Sequence, residues 1–165
     1  MEVESVVLIA CSFSGVCVCA TQEGCLDSID HIINSWPGKN SSSSKAPTRL
    51  ALLQASQGAN ESHRWGFQIS GEEESFRWFK LGLAHEDELP SDIRKATELE
   101  DARSLRNEHD RRVIDLVSTF LGNLWTHTVG QITSRHNLSE EQVLQAEIHA
   151  VLGVPAIGEL QRWGP

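Results

Sequence analysis

Two short apolar runs at the front of the chain, Val6-Val7-Leu8-Ile9-Ala10-Cys11 and Val16 to Thr21, flank Ser12-Phe13-Ser14-Gly15. A run of β-branched and apolar residues without a charge reads as a buried strand. Serine and glycine between two such runs supply turn chemistry, so the pair reads as a β-hairpin. A buried hairpin needs further layers to cover it, and the rest of the sequence offers them.

A further apolar run, Ile29 to Trp36, stops at Pro37-Gly38, a strong breaker pair. The stretch from about 38 to 46 contains four consecutive serines and reads as a flexible loop. Arg49 to Leu53 is a strand entered through Pro47, and Gln54 to Ser62 is polar and loop-like. Trp65-Gly66-Phe67-Gln68-Ile69 alternates large apolar with small or polar residues, as a half-buried strand does. Glu72-Glu73-Glu74 reads as a solvated helix start, where carboxylates suit the positive end of the helix dipole. Phe76, Phe79, Leu81 and Leu83 fall in a short element whose type the pattern leaves open. The polar segment from about 86 to 109, interrupted by Pro90, reads as a loop with some helical turns.

From Asp110 to about His136 the signal is clear. Val113, Val117, Phe120, Leu121, Leu124, Thr128 and Ile132 recur at three- and four-residue steps and form one helical face. Ser139 and Gln142 fit a capping box that opens another helix over Leu138 to Ala146. Ile148 to Val154 is then an apolar strand before Pro155. Hairpin, strands, long helix and strand, in that order, predict an α/β protein with a mixed β-sheet covered by helices. Its 165 residues fit a single domain.

Charge and cysteines narrow the function classes. The net charge of −9 repels phosphate backbones and counts against a nucleic-acid or anionic-membrane partner. No run reaches the roughly 20 apolar residues of a membrane span. Met-Glu-Val-Glu ahead of Val6 is acidic where a secretory signal carries positive charge, so the expected compartment is the cytosol. Sequons at Asn40, Asn60 and Asn137 then go unused. Cys11, Cys17, Cys19 and Cys25 are spaced C-x5-C-x-C-x5-C, without the C-x2-C pairs of a zinc site. Buried, reduced thiols are the main reading, and a redox or metal role is the alternative.

Several short motifs in order resemble a known family. They are Phe13-Ser14-Gly15-Val16, Trp36-Pro37-Gly38, Lys45-Ala46-Pro47-Thr48, Trp65-Gly66-Phe67, Trp78-Phe79-Lys80-Leu81, Leu124-Trp125-Thr126-His127-Thr128 and Val154-Pro155-Ala156. Together they resemble the opening of the divergent, fungal-type heat-shock-seventy relatives, which belong to the actin-like ATPase fold. The resemblance implies the first, ribonuclease H-like lobe of that fold. In the family the first turn cradles phosphate, with an Asp on the water shell of the metal. Here Ala10, Cys11, Ser12, Ser14 and Gly15 occupy a turn about two residues shorter, and Ala10 stands where the Asp is expected. An alanine cannot hold the water of a Mg²⁺ ion, so the resemblance implies no nucleotide cofactor and no metal. The second phosphate loop, the adenosine-binding segment and the second lobe of the family lie beyond the stretch that Pro165 closes, which implies a truncated, non-hydrolysing lobe.

Two functions compete. One is a degenerate, chaperone-like protein that acts by binding a protein partner or a second copy of itself, since half of a two-lobed domain exposes apolar surface. The other is an ATP-independent enzyme, such as an isomerase, cyclase or condensation catalyst, that takes a small apolar molecule into the vacated cleft. His127, Lys80 and Asp115 are the candidate polar groups for that chemistry. A packed histidine and a solvated lysine are the plain alternatives for the first two. H-E-x-x-H, G-x-S-x-G, Walker A and G-x-G-x-x-G motifs do not occur.

Overall fold

The computed structural model describes residues 6–12, 15–20, 31–53, 62–136, 139, 141 and 148–152. Two compact units divide them, one comprising Met1–Pro47, Gly66–Gln68 and Leu121–Val154, the other Thr48–Trp65, Ile69–Phe120 and Pro155–Pro165.

The first unit is built on a four-stranded mixed sheet. Strands β1 (Val6–Ser12), β2 (Gly15–Ala20) and β3 (His31–Ile32) form an antiparallel meander. Strand β6 (Ile148–Leu152) adds parallel to β1, from Val6 opposite Ile148 to Ala10 opposite Leu152. The order is β3-β2-β1-β6, which leaves the apolar β1 paired on both sides. The hairpin and the late strand therefore stand where the apolar runs place them. The helix expected over Leu138 to Ala146 lies largely outside the described residues.

Beyond β3 the chain buries Ile33 and Trp36 and turns at Gly38, whose φ is +80°. The backbone of Gln68 and Phe67 passes so close that a Cβ on Gly38 would fall 2.7 Å from Gln68 Cα. The serine stretch that reads as flexible is tied down at Ser43. Ser43 N donates to Asn34 O at 2.8 Å, and Trp36 Nε1 donates to Ser43 O at 2.6 Å. Backbone polar groups next to a buried indole need such partners.

The second unit carries a two-stranded antiparallel sheet, β4 (Leu50–Leu53) with β5 (Ser62–Trp65), extended by a bridge from Leu50 to Phe76. The strand expected over Trp65 to Ile69 ends at Trp65. Gly66, at φ +59°, turns the chain into a 3₁₀ turn over Gly66–Gln68. The triple glutamate starts no helix. It lies in a turn, and Glu73 is drawn onto Arg64 as an ion pair. Phe79–Leu83 is a 3₁₀ turn.

The segment from 86 to 109 is far more helical than its apolar pattern suggests. After a 3₁₀ turn at Glu86–Glu88 come α1 (Ser91–Arg94) and α2 (Thr97–Glu108). Leu99 on α2 joins Leu81 and Leu89 in a small cluster that Ala84 and Ile93 complete. Glu98 and Glu100 in the first turn of α2 and Arg106 in the last complement its dipole.

Helix α3 (Val113–His136) is the long helix that the apolar periodicity predicts, and the division between the units falls within it. In the second unit Phe120 is fully buried, with Trp65 and Phe79 edge-on at ring distances of 5.8 and 5.9 Å. In the first unit Leu124, Thr128 and Ile132 are buried. Thr128 satisfies its hydroxyl by donating to Leu124 O at 2.7 Å. No helix among the described residues is long and apolar enough to cross a membrane.

Candidate functional site

The hairpin that the resemblance makes a degenerate phosphate loop is described at its backbone on both sides of the turn. Ala10 belongs to β1 and pairs with Leu152 of β6. Ile9 lies opposite Cys17 and Ser12 opposite Gly15, so β1 gains a residue over β2 between these pairs. That irregularity is a β-bulge at Ala10-Cys11, and only Phe13 and Ser14 connect Ser12 to Gly15. Ser14 itself lies outside the described residues.

The three candidate catalytic groups fall in different surroundings. His127 belongs to the first unit, where its Nε2 donates to Ser35 O at 2.8 Å and its ring lies 5.3 Å from that of Trp36. A histidine held in this way positions α3 against the Trp36-Pro37-Gly38 turn. Lys80 is half-buried in the 3₁₀ turn of the second unit. Asp115 opens α3 and takes a two-pronged contact from Arg112, at 2.6 and 2.7 Å. The hydrogen bonds from Arg112 hold its carboxyl below the ordinary value of 3.8. A carboxylate engaged in this way is a poor base.

Among the described residues of the second unit are two hollows, and none of these three residues lines either. The smaller, about 30 Å³, has room for one water among Phe76, Phe79, Leu99, Leu116 and the stems of Arg103 and Arg106. The larger is an open groove of about 420 Å³. Glu72, Glu73, Glu74, Glu98 and Asp101 wall it, together with Ser75, Arg77, Trp78 and, on α2, Ala102 and Leu105. Trp78 is 49% exposed. Its backbone is left-handed, at φ +57°, a conformation that costs a bulky L-residue about 1–2 kcal/mol. Trp78 O accepts from Leu81 N at 2.9 Å, so the following 3₁₀ turn holds the strained residue in place.

In the sequence the triple glutamate and the tryptophans are separate features that no local pattern brings together. The signal available was Trp78-Phe79, two adjacent aromatics that cannot both face the core of a short element. Phe79 is buried and Trp78 turns outward.

Behind the acidic turn lies a cluster of guanidinium groups. Arg49 donates to Ser70 O at 3.1 Å, to Glu73 O at 3.5 Å, and to Ser75 Oγ from both Nε and a terminal nitrogen, at 3.3 and 3.1 Å. Arg77 donates to Ser75 Oγ from Nε at 3.2 Å and to Gly71 O at 3.3 Å. Burial pushes the guanidinium pKa of Arg49 down, and the nearby charge of Arg77 adds to this while Glu73 opposes it. Among the described residues no group of three or more His, Cys, Asp or Glu side chains is placed to hold a metal ion. No family model, no curated protein and no solved structure matches the chain.

Proposed function

We propose that the chain is a nucleotide-independent binding protein, a degenerate relative of the actin-like ATPase lobe, whose groove at Trp78 receives a basic protein segment. The observation that carries the reading is Trp78 itself. A large aromatic side chain stands half exposed, against its backbone preference, in a groove walled by five carboxylates. An exposed indole beside carboxylates suits a lysine or arginine side chain, through its apolar stem and its charge together. Tryptophan is also among the residues that dominate binding energy when a partner covers them. A second copy of this chain, itself at −9, is a poor occupant, because the groove would meet like charge.

The nucleotide-independent half of the reading rests on Ala10. It stands where the resembled family places the carboxylate for its metal, and it sits inside a strand ladder beside a two-residue connection. A mixed sheet that opens with an antiparallel hairpin and closes with a strand parallel to it supports the likeness to that lobe.

Both halves are open to one calorimetric experiment. A lysine-rich peptide carrying one leucine binds the protein, and Trp78→Ala weakens it by tenfold or more with the urea midpoint retained. Salt weakens it as well, because the carboxylates at the rim are screened. ATP with Mg²⁺ gives no heat. Saturable, Mg²⁺-dependent ATP binding would end the first claim, and peptide binding indifferent to Trp78→Ala would end the second.

A further inference from the structure

Ser75 is 9% exposed, and its hydroxyl oxygen faces three N–H donors from two arginines. A serine hydroxyl has two acceptor lone pairs, so the site holds more donors than its oxygen can properly accept. Among the described residues neither guanidinium is hydrogen-bonded to a carboxylate. Arg49 and Arg77 converge on a neutral group, and their other hydrogen bonds go to the backbone carbonyls of Ser70, Glu73 and Gly71. Glu73, whose charge acts on Arg49, is itself engaged by Arg64. Glu72 and Glu74 are exposed, and Glu74 reaches toward His109 at 3.5 Å.

We propose that Ser75 is a phosphorylation site, for which Arg49 and Arg77 are the ready-made receptor. A phosphoryl group on Ser75 Oγ brings three strong acceptor oxygens and a charge near −2 to the point where the two guanidinium groups already aim. Planar guanidinium forks suit phosphate oxygens, and such charge-assisted bonds are about twice as strong as neutral ones. In the transfer, Ser75 Oγ bonds to the γ-phosphorus of a nucleoside triphosphate held by a protein kinase. The bond from that phosphorus to the bridging oxygen of the departing diphosphate breaks, and the hydroxyl proton leaves to the base of the kinase.

Access comes from the turn that carries the residue. Residues 70–75 form no helix or strand, and within the turn one long backbone bond, Glu73 N to Ser70 O at 3.3 Å, closes it. Such a segment opens locally at far lower cost than the whole domain unfolds. Once modified, it re-forms with the phosphate clamped. The acidic turn is then fixed more tightly beside the Trp78 groove, and the modification adds negative charge there.

The test is the full chain made with phosphoserine at position 75, followed by ³¹P NMR. In the folded protein the second phosphate pKa falls below its usual value of about 6, and it returns to that value in urea. Arg49→Gln and Arg77→Gln each remove part of the shift, and Arg77, being exposed, is replaced without harm to the fold. Because the folded-state pKa is lowered, the gain in urea midpoint is full above about pH 6 and fades as the pH falls through the folded value. A phosphate pKa that is the same folded and in urea, or a lowered midpoint at neutral pH, overturns the proposal. Inorganic phosphate is the companion probe on the unmodified protein. A thermal shift with millimolar phosphate that both variants abolish would assign the arginines to a free anion and overturn the covalent site. Mass spectrometry of the protein from its own cells, with phosphatases inhibited, should find the Ser75 phosphopeptide, and its absence there overturns the proposal too.

Discussion

Gly38 and Gly66 share a positive φ but not the same surroundings, and this separates two effects that are usually confounded. A Cβ on Gly66 would meet nothing nearer than 3.8 Å, whereas one on Gly38 would press into the backbone of Gln68 and Phe67. Gly66→Ala should therefore cost only the left-handed backbone, about 1–2 kcal/mol. Gly38→Ala carries the same cost and an overpacking cost of about 1–3 kcal/mol more. Urea midpoints of the two variants measure the difference, and equal losses would contradict the close approach at Gly38. Asp115 gives a second test at this scale. Its carboxyl titrates below 3.8 because Arg112 donates to it, so Arg112→Gln should bring the value back up toward 3.8 in a carboxyl-detected NMR titration. The contribution of this pair to stability is present above the unfolded carboxylate value and is lost as the pH falls through the lowered folded one.

Among the elements, α3 carries an aromatic cluster, and Phe120→Ala probes it. Phe120 is fully buried between the edges of Trp65 and Phe79, so truncation should cost about 3–5 kcal/mol by urea denaturation. A loss below about 1 kcal/mol would mean that the three rings do not form a packed unit. This helix was legible because its apolar residues keep one period for about five turns, and the hairpin because its apolar runs are uninterrupted. Leu116 is buried on the same helix and belongs to that face too. Helix α2 was not legible by the same rule. Thr97–Glu108 buries one residue, Leu99, so it has no apolar stripe to count. Its glutamates, leucines, alanine and arginines are good helix formers, and propensity summed along the window was the signal to use. At Gly66 the alternation Trp-Gly-Phe-Gln-Ile imitated a strand. A glycine inside such a pattern is also the mark of a bend, and here the positive φ decides for the bend. The acidic turn misled for another reason. Arg64 draws Glu73 out of solvent, and a pairing across nine residues has no local signature. Of the candidate site, the sequence offered the hairpin with Ala10. The groove at Trp78 and the two arginines on Ser75 depend on contacts between distant segments, which no local pattern encodes.

At the scale of the whole molecule, two cores imply two responses to damage. Ile33 is fully buried in one unit and Leu50 is 1% exposed in the other. Truncating either to Ala removes about 2–5 kcal/mol from its surroundings. Native-state hydrogen exchange should show Ile33→Ala speeding the amides of β2, β3 and the C-terminal half of α3 more than those of β4 and β5. Leu50→Ala should do the reverse, and a uniform acceleration in both variants would mean that the units unfold as one. Strand β1 has a different kind of dependence. One neighbour, β2, follows it at once, and the other, β6, is encoded only after α3. A ribosome therefore extrudes Val6 to Ala10 long before the partner for its second side exists. Throughout synthesis that uncharged, β-prone stretch has a bare side, the state in which strands recruit one another between molecules. The yield of usable protein is thus governed by how long translation keeps that flank waiting, and slow elongation ahead of Ile148 should lower it even when the finished molecule is stable.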